Sequence, residues 1–258
     1  MILPAFMKKR TALTLTLFVI CFFVLRSASG QTVTGDSALK AAVNNANAVY
    51  TKAIGQQLPL NNGPEYSFYN PIKIKGSAYF MDAAFTPGAV YYDGAEYKDV
   101  QLLYDLYKDQ LAAVLFDQYS KYVLINDRVQ NFDLLGHHFI NINADTLANN
   151  TVMSTGYYDE LYDGRSVVLS KRYKLIQENT SNTGTLEAYS YFTDAKQDFF
   201  IRKDNVYYRV SSQRELLTIL KDKKKQLQQY IKSNKIKFNK DPGAALAGIA
   251  GYYDQITN

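Results

Sequence analysis

Apolar and polar positions fall into four successive patterns along the chain. From Ala12 to Leu25 the residues are almost wholly apolar, interrupted by Thr14 and Thr16. From about Asp36 to Ile54, the residues Leu39, Val43, Ala46, Tyr50 and Ile54 recur at helical spacing, with Asp36 suited to the N-cap and Gly55 to the stop. This stripe is narrow and is expected to pack on a larger body. From about Glu65 to Val210, tyrosine and phenylalanine are dense and turn signals interrupt them. Ile72-Lys73-Ile74-Lys75 alternates apolar and basic. Val90-Tyr91-Tyr92 and Glu96-Tyr97-Lys98 flank Asp93-Gly94. Leu161-Tyr162 and Ser166-Val167-Val168-Leu169 flank Asp163-Gly164, and Phe199 to Arg202 and Val206 to Arg209 flank Lys203-Asp204-Asn205. Such runs joined by short turns predict antiparallel hairpins. The stretches Asn143 to Thr155 and Glu178 to Thr185 read as polar loops. After Val210 the period becomes helical. Ser212 and Glu215 form a capping box, and Leu216, Leu220, Leu227 and Ile231 mark one face. Asp241-Pro242 opens a last helix with Ala245, Ile249 and Tyr253 as its stripe.

The expected fold is therefore α+β and mainly antiparallel β: a curved meander sheet, half-barrel or sandwich-like, with an N-terminal helix and two C-terminal helices. A single sheet cannot hide both faces alone, so it must curl or be covered.

The first pattern changes what the rest of the chain is. Lys8, Lys9 and Arg10 precede the apolar run, and Ala28-Ser29-Gly30 follows it. Charge, apolar core and small-residue exit in that order predict a secretory signal peptide over residues 1–30, cleaved between Gly30 and Gln31. The run is too short for a spanning anchor, which needs about 18 apolar residues or more. Residues 31–258 then form a single β-rich domain. The lone cysteine, Cys21, follows Ile20 and precedes Phe22-Phe23, so it belongs to the apolar run and not to a lipid-attachment motif. Residues 1–30 hold Lys8, Lys9, Arg10 and Arg26 and no acid, so the charge of the remainder falls from +5 to +1. A near-neutral exported chain gives no ground for a nucleic-acid partner. Without cysteine it has no disulfide, thiolate site or cysteine nucleophile.

Several stretches carry a resemblance: Asn62-Gly63-Pro64-Glu65-Tyr66, Tyr92-Asp93-Gly94-Ala95-Glu96-Tyr97, Leu102-Leu103-Tyr104-Asp105, Gly136-His137-His138-Phe139, Gly156-Tyr157-Tyr158 and Lys171-Arg172-Tyr173-Lys174. With them the chain resembles a group of uncharacterised exported proteins of Bacteroidota. The resemblance implies an envelope location in a Gram-negative cell and carries over no catalytic residue.

Candidate chemistry is sparse. His137 and His138 are the two histidines, and as strand neighbours they point to opposite faces. A polar site would join one of them to carboxylates such as Asp105 and Asp109, which read as residues of an exposed strand surface. A glycosidase would need two carboxylates facing each other. No serine elbow and no phosphate-binding glycine loop occurs. No cofactor or metal site is expected. Tyrosine numbers 22 and tryptophan none. Tyrosine suits half-buried sheet surfaces with the hydroxyl in water, or a groove for a glycan, peptide or lipid. The lysines Lys221, Lys223, Lys224, Lys225 and Lys232, followed by Lys235, Lys237 and Lys240, form the chain's basic asymmetry and could meet an anionic surface. The expected role is a non-enzymatic envelope module binding a lipid, glycan or protein partner, with no membrane anchor after cleavage. It would reside in the periplasm or at the outer membrane ahead of the extracellular space. The alternative is a hydrolase using carboxylates or histidine.

Overall fold

The structure is a computed structural model. It describes residues 59–257 apart from 82–83, 115–116, 118, 149–151 and 180–188, together with residues 37–39, 41–43, 45–46 and 49. The signal segment and the Gly30–Gln31 cleavage point lie outside the described residues. Two compact units divide the chain, Met1–Tyr50 and Thr51–Asn258. In the first, the described positions are helical, as their spacing predicts, and Leu39, Val43 and Val49 are exposed.

The second unit is dominated by one antiparallel sheet. Its strands are β2 (Thr86–Tyr92), β3 (Ala95–Asp105), β4 (Gln110–Val114), β5 (Lys121–Val123), β6 (Val129–Leu134), β7 (His137–Ile142), β8 (Gly156–Tyr162), β9 (Val167–Tyr173), β12 (Lys196–Lys203) and β13 (Val206–Val210). They lie in the order β13-β12-β9-β8-β7-β6-β2-β3-β4-β5. The sheet is open, not a closed barrel. It is also not a simple meander. The chain runs outward from β2 to the β5 edge, then returns to lay β6 on the other side of β2. Strand β1 (Ile74–Lys75) lies parallel to β11 (Tyr189–Phe192), which pairs with β10 (Ile176–Asn179) in a separate three-stranded sheet. The alternating run from Ile72 thus yields a two-residue strand. Glu178 belongs to β10 instead of a loop.

Turn chemistry sets the register. Tyr92 pairs with Ala95, leaving Asp93 and Gly94 as a two-residue turn with both φ angles positive; this is the primed geometry for which glycine is favoured. Lys203 pairs with Val206, so the last hairpin turns on Asp204 and Asn205 alone, again at positive φ.

The large sheet curls strongly. The Tyr104 ring on β3 meets Phe132, Phe139 and Tyr157 on β6, β7 and β8 at centroid distances of 5.4, 5.2 and 5.7 Å. At one end the Lys174 N–H donates to the Leu106 carbonyl at 3.3 Å, joining the ends of β9 and β3 without a continuous ladder. The concave interior is filled by rings and aliphatic chains, with Phe132 stacked on Phe139 at 4.7 Å. The other part of the same face, on β9, β12 and β13, is roofed by the C-terminal helices through Val168, Ile201, Leu216, Leu227, Leu246 and Ile249.

Those helices number three: α1 (Gln213–Ile219), α2 (Lys224–Ser233) and α3 (Pro242–Thr257). The expected single helix from Ser212 breaks at a 3-10 turn, Lys221–Lys223. The cause is tertiary. Lys203 Nζ donates to the Ile219 carbonyl and pairs with Asp222 at 2.6 Å, while the Tyr253 hydroxyl donates to the other Asp222 oxygen at 3.0 Å. The capping box forms with one change. The Glu215 N–H donates to Ser212 Oγ, and the Glu215 carboxylate reaches one residue past the cap to accept from the Ser211 N–H and hydroxyl. Among the described residues no helix is long and apolar enough to cross a membrane.

Candidate functional site

The four residues of the expected polar site separate into structural clusters. His137 and His138 do face opposite ways. His137 Nδ1 lies 2.9 Å from Asp159 and its ring packs on Phe80, whereas His138 Nδ1 lies 2.6 Å from Asp133. Asp159 is buried, and the same oxygen accepts from Arg172 Nε and Nη2 at 2.8 and 2.6 Å. Asp105 is also buried, not on an exposed strand surface. One of its oxygens accepts from the Tyr66 and Tyr69 hydroxyls at 2.8 and 2.7 Å, and the other from the N–H groups of Tyr107 and Lys108. Those four donors satisfy a carboxylate that would be costly to bury alone. Asp109 pairs with Lys171 at 2.5 Å and accepts from the Tyr104 hydroxyl at 2.6 Å. Each carboxylate of the expected site is thus engaged by its own donors, and none faces another across a cleft. Among the described residues no group of three His, Asp or Glu side chains is arranged to hold a metal ion.

Half-buried or exposed tyrosines such as Tyr173, Tyr191, Tyr207 and Tyr208 fit the expectation of rings on a sheet surface, but others depart from it. Tyr66, Tyr92, Tyr104, Tyr122, Tyr157 and Tyr158 are buried. Burial first, then for Tyr66 a hydrogen bond with Tyr79, and in all three a neighbouring carboxylate, push the Tyr66, Tyr69 and Tyr104 hydroxyls well above the ordinary tyrosine range. The Tyr66, Tyr69 and Tyr104 hydroxyls carry hydrogen bonds into the core.

Surface concavity occurs elsewhere, around β13 and the C-terminal helices. A groove of about 610 Å³ is lined by Val206 to Arg209 on one side and by Arg214, Thr218 and Ile219 of α1 on another, with Val152 closing it. A second hollow of about 680 Å³ shares Arg214 with it and adds Lys237 and Lys240. A third, about 430 Å³, shares Lys237 and Lys240 and adds Lys235. Their charge is mixed with a basic excess: Glu215 lies in the first lining beside Arg209 and Arg214, and Asp241 in the third beside Lys235, Lys237 and Lys240. Residues 211–240 carry nine Lys or Arg against two acids, Glu215 and Asp222. Both acids are committed locally. Ser211 holds the Glu215 carboxyl below its ordinary range by backbone and hydroxyl hydrogen bonds, and Asp222 is held by Lys203 and Tyr253. Arg209 pairs with Asp198 at 2.6 Å, whereas Arg214, Lys235, Lys237 and Lys240 have no ion pair among the described residues.

The predicted lysines divide over this surface. Lys221, Lys224, Lys225 and Lys232 are exposed and Lys223 is half-buried, all on the 3-10 turn and α2, while Lys237 and Lys240 line the hollows. Sequence reasoning missed Arg209 and Arg214. The available signal was positional: Val206 to Val210 is the last strand before a capping box, so a sheet edge must lie beside the new helix. Comparison with known proteins adds nothing to this geometry: no family model, no curated protein and no solved structure matches the chain.

Proposed function

We propose that this chain is an exported, non-enzymatic protein of the cell envelope that binds an acidic partner through the basic hollows beside β13. The observation carrying this reading is the adjoining run of three hollows lined by Arg214, Lys235, Lys237 and Lys240. The interior of the curled sheet, by contrast, is filled with aromatic rings. Support for export is the order of charge, apolar run and small residues up to Gly30. Behind the hydrolase reading stand the His137–Asp159 contact, whose carboxylate Arg172 already occupies, and the half-buried His138 between Asp133 and Glu160, which lines none of the three hollows.

A poly-glutamate probe titrated into the protein and into an Arg214→Glu/Lys237→Glu/Lys240→Glu variant tests the reading. Binding should weaken at least tenfold in the variant and fall with added salt. Vesicles of anionic lipid form a second arm. Equal affinity of both proteins for poly-glutamate would refute the assignment, and a preference for vesicles would replace a protein partner by a membrane surface.

A further inference from the structure

The two edges of the large sheet differ. At the β5 edge the Tyr66 N–H donates to the Lys121 carbonyl at 2.9 Å and the Val123 N–H to the Pro64 carbonyl at 2.8 Å, so residues 64–66 cap that edge. At the other edge stands β13. Its two-residue turn makes Lys203 and Val206 a mutually hydrogen-bonded pair, and the alternation of an antiparallel ladder carries that pattern to Ile201–Tyr208 and Phe199–Val210. The N–H and C=O groups of Tyr207 and Arg209 therefore point away from β12. Among the described residues nothing bonds to them. The groove runs along this edge: each residue from Val206 to Arg209 lines it, α1 forms one wall and Val152 the other. Tyr208 is exposed within it.

We infer that β13 is a strand-accepting edge, at which an extended acidic peptide segment of a partner protein adds to the sheet as an eleventh strand. The inference rests on the acidic-partner reading above and names its mode of binding. Main-chain hydrogen bonds to Tyr207 and Arg209 supply register, and the groove walls take alternate side chains. The wall residues Val152, Thr218 and Ile219 suit β-branched side chains of the guest, and Arg214 suits a carboxylate. Charge also selects the occupant. Arg209 is already paired with Asp198 and Glu215 is held by Ser211, which leaves Arg214 as the groove cation without an ion pair among the described residues; a second copy would bring its own Arg214 against this one, whereas an acidic segment neutralises it.

The test uses the whole protein and a fluorescent peptide of alternating glutamate and valine, with a second version N-methylated on alternate residues. Hydrogen exchange at Tyr207 and Arg209 is followed by amide NMR. Strand addition should slow exchange at both amides at least tenfold, and N-methylation of the peptide should weaken binding at least tenfold. Tyr207→Pro, which removes an outward N–H and keeps the cations, should do likewise; exchange in β9 and β12 checks that it folds. Binding that leaves both amides unprotected and ignores N-methylation overturns strand addition while leaving the acidic-surface reading intact. Protection retained in the Arg214→Glu/Lys237→Glu/Lys240→Glu variant sinks the acidic reading but not the added strand. Protection without peptide, with dimers in size-exclusion chromatography, makes a second copy the occupant and overturns the peptide assignment. Absence of peptide binding overturns the proposal outright.

Discussion

Replacing Arg172 by Met tests whether the buried ion pair beside Phe80 holds the curled sheet together. The Asp159 side chain is 2% exposed and that of Arg172 13%. Two N–H groups of Arg172 reach one carboxylate oxygen, and the guanidinium also lies 5.5 Å from the Phe80 ring centre. Removing one partner of a buried pair costs about 3–5 kcal/mol, because the other charge loses its counter-charge; here Asp159 would keep only its contact with His137 Nδ1 at 2.9 Å. The small exposure of Arg172 lets water reach the site, which places the expected loss near the lower end, about 3 kcal/mol. For a domain of this size that corresponds to a fall in Tm of roughly 6–12 °C. Urea denaturation and calorimetry of wild type, Arg172→Met and Asp159→Leu/Arg172→Met measure it. The double variant should recover at least half of the loss, since an apolar pair in place of a buried ion pair is close to neutral. A single variant within about 1 kcal/mol of wild type, or a double variant no better than the single, would refute the reasoning.

Two further outcomes are expected. Gly156→Ala should destabilise by about 2–3 kcal/mol in urea melts, because Gly156 sits at φ +136° and an added Cβ would meet Asp109 Oδ2 and Lys171 Nζ, whereas Gly94→Ala, with open space around it, should cost only about 1 kcal/mol. Alkaline titration followed by tyrosinate absorbance should show the buried hydroxyls of Tyr66, Tyr104 and Tyr157 ionising only together with loss of structure. Their folded values are raised, first by burial, so the stability they contribute is complete below the ordinary tyrosine value of about 10 and drains away as pH rises beyond it; smooth, early ionisation of every tyrosine in an intact fold would contradict this.

The parts legible in the sequence were those written in local chemistry. The Asp93-Gly94 turn, the Ser212 cap and the Asp241 cap each act over a few residues, and each appears where its signature stands. The break after Ile219 was not legible, because Lys203 and Tyr253, distant in sequence, hold Asp222 in place. Nor could the burial of Asp105 be read: it depends on Tyr66 and Tyr69, more than thirty residues upstream. The position of β6 beside β2 escaped for the same reason, since the two strands pair across the whole β3–β5 excursion and no turn joins them. The basic run near the C-terminus was visible, but the concavity beside it was not, as the groove is set largely by where α1 leaves the sheet next to β13, a matter of tertiary packing.

The unequal edges of the large sheet also set a limit on growth. Copies that stack edge to edge into fibres need two receptive edges each, one to take and one to give. Here residues 64–66 already occupy one of them. Pairing through the large sheet can therefore advance by a single step and then stop. A chain with a bare strand can in this way remain hospitable to one guest without becoming the seed of a polymer.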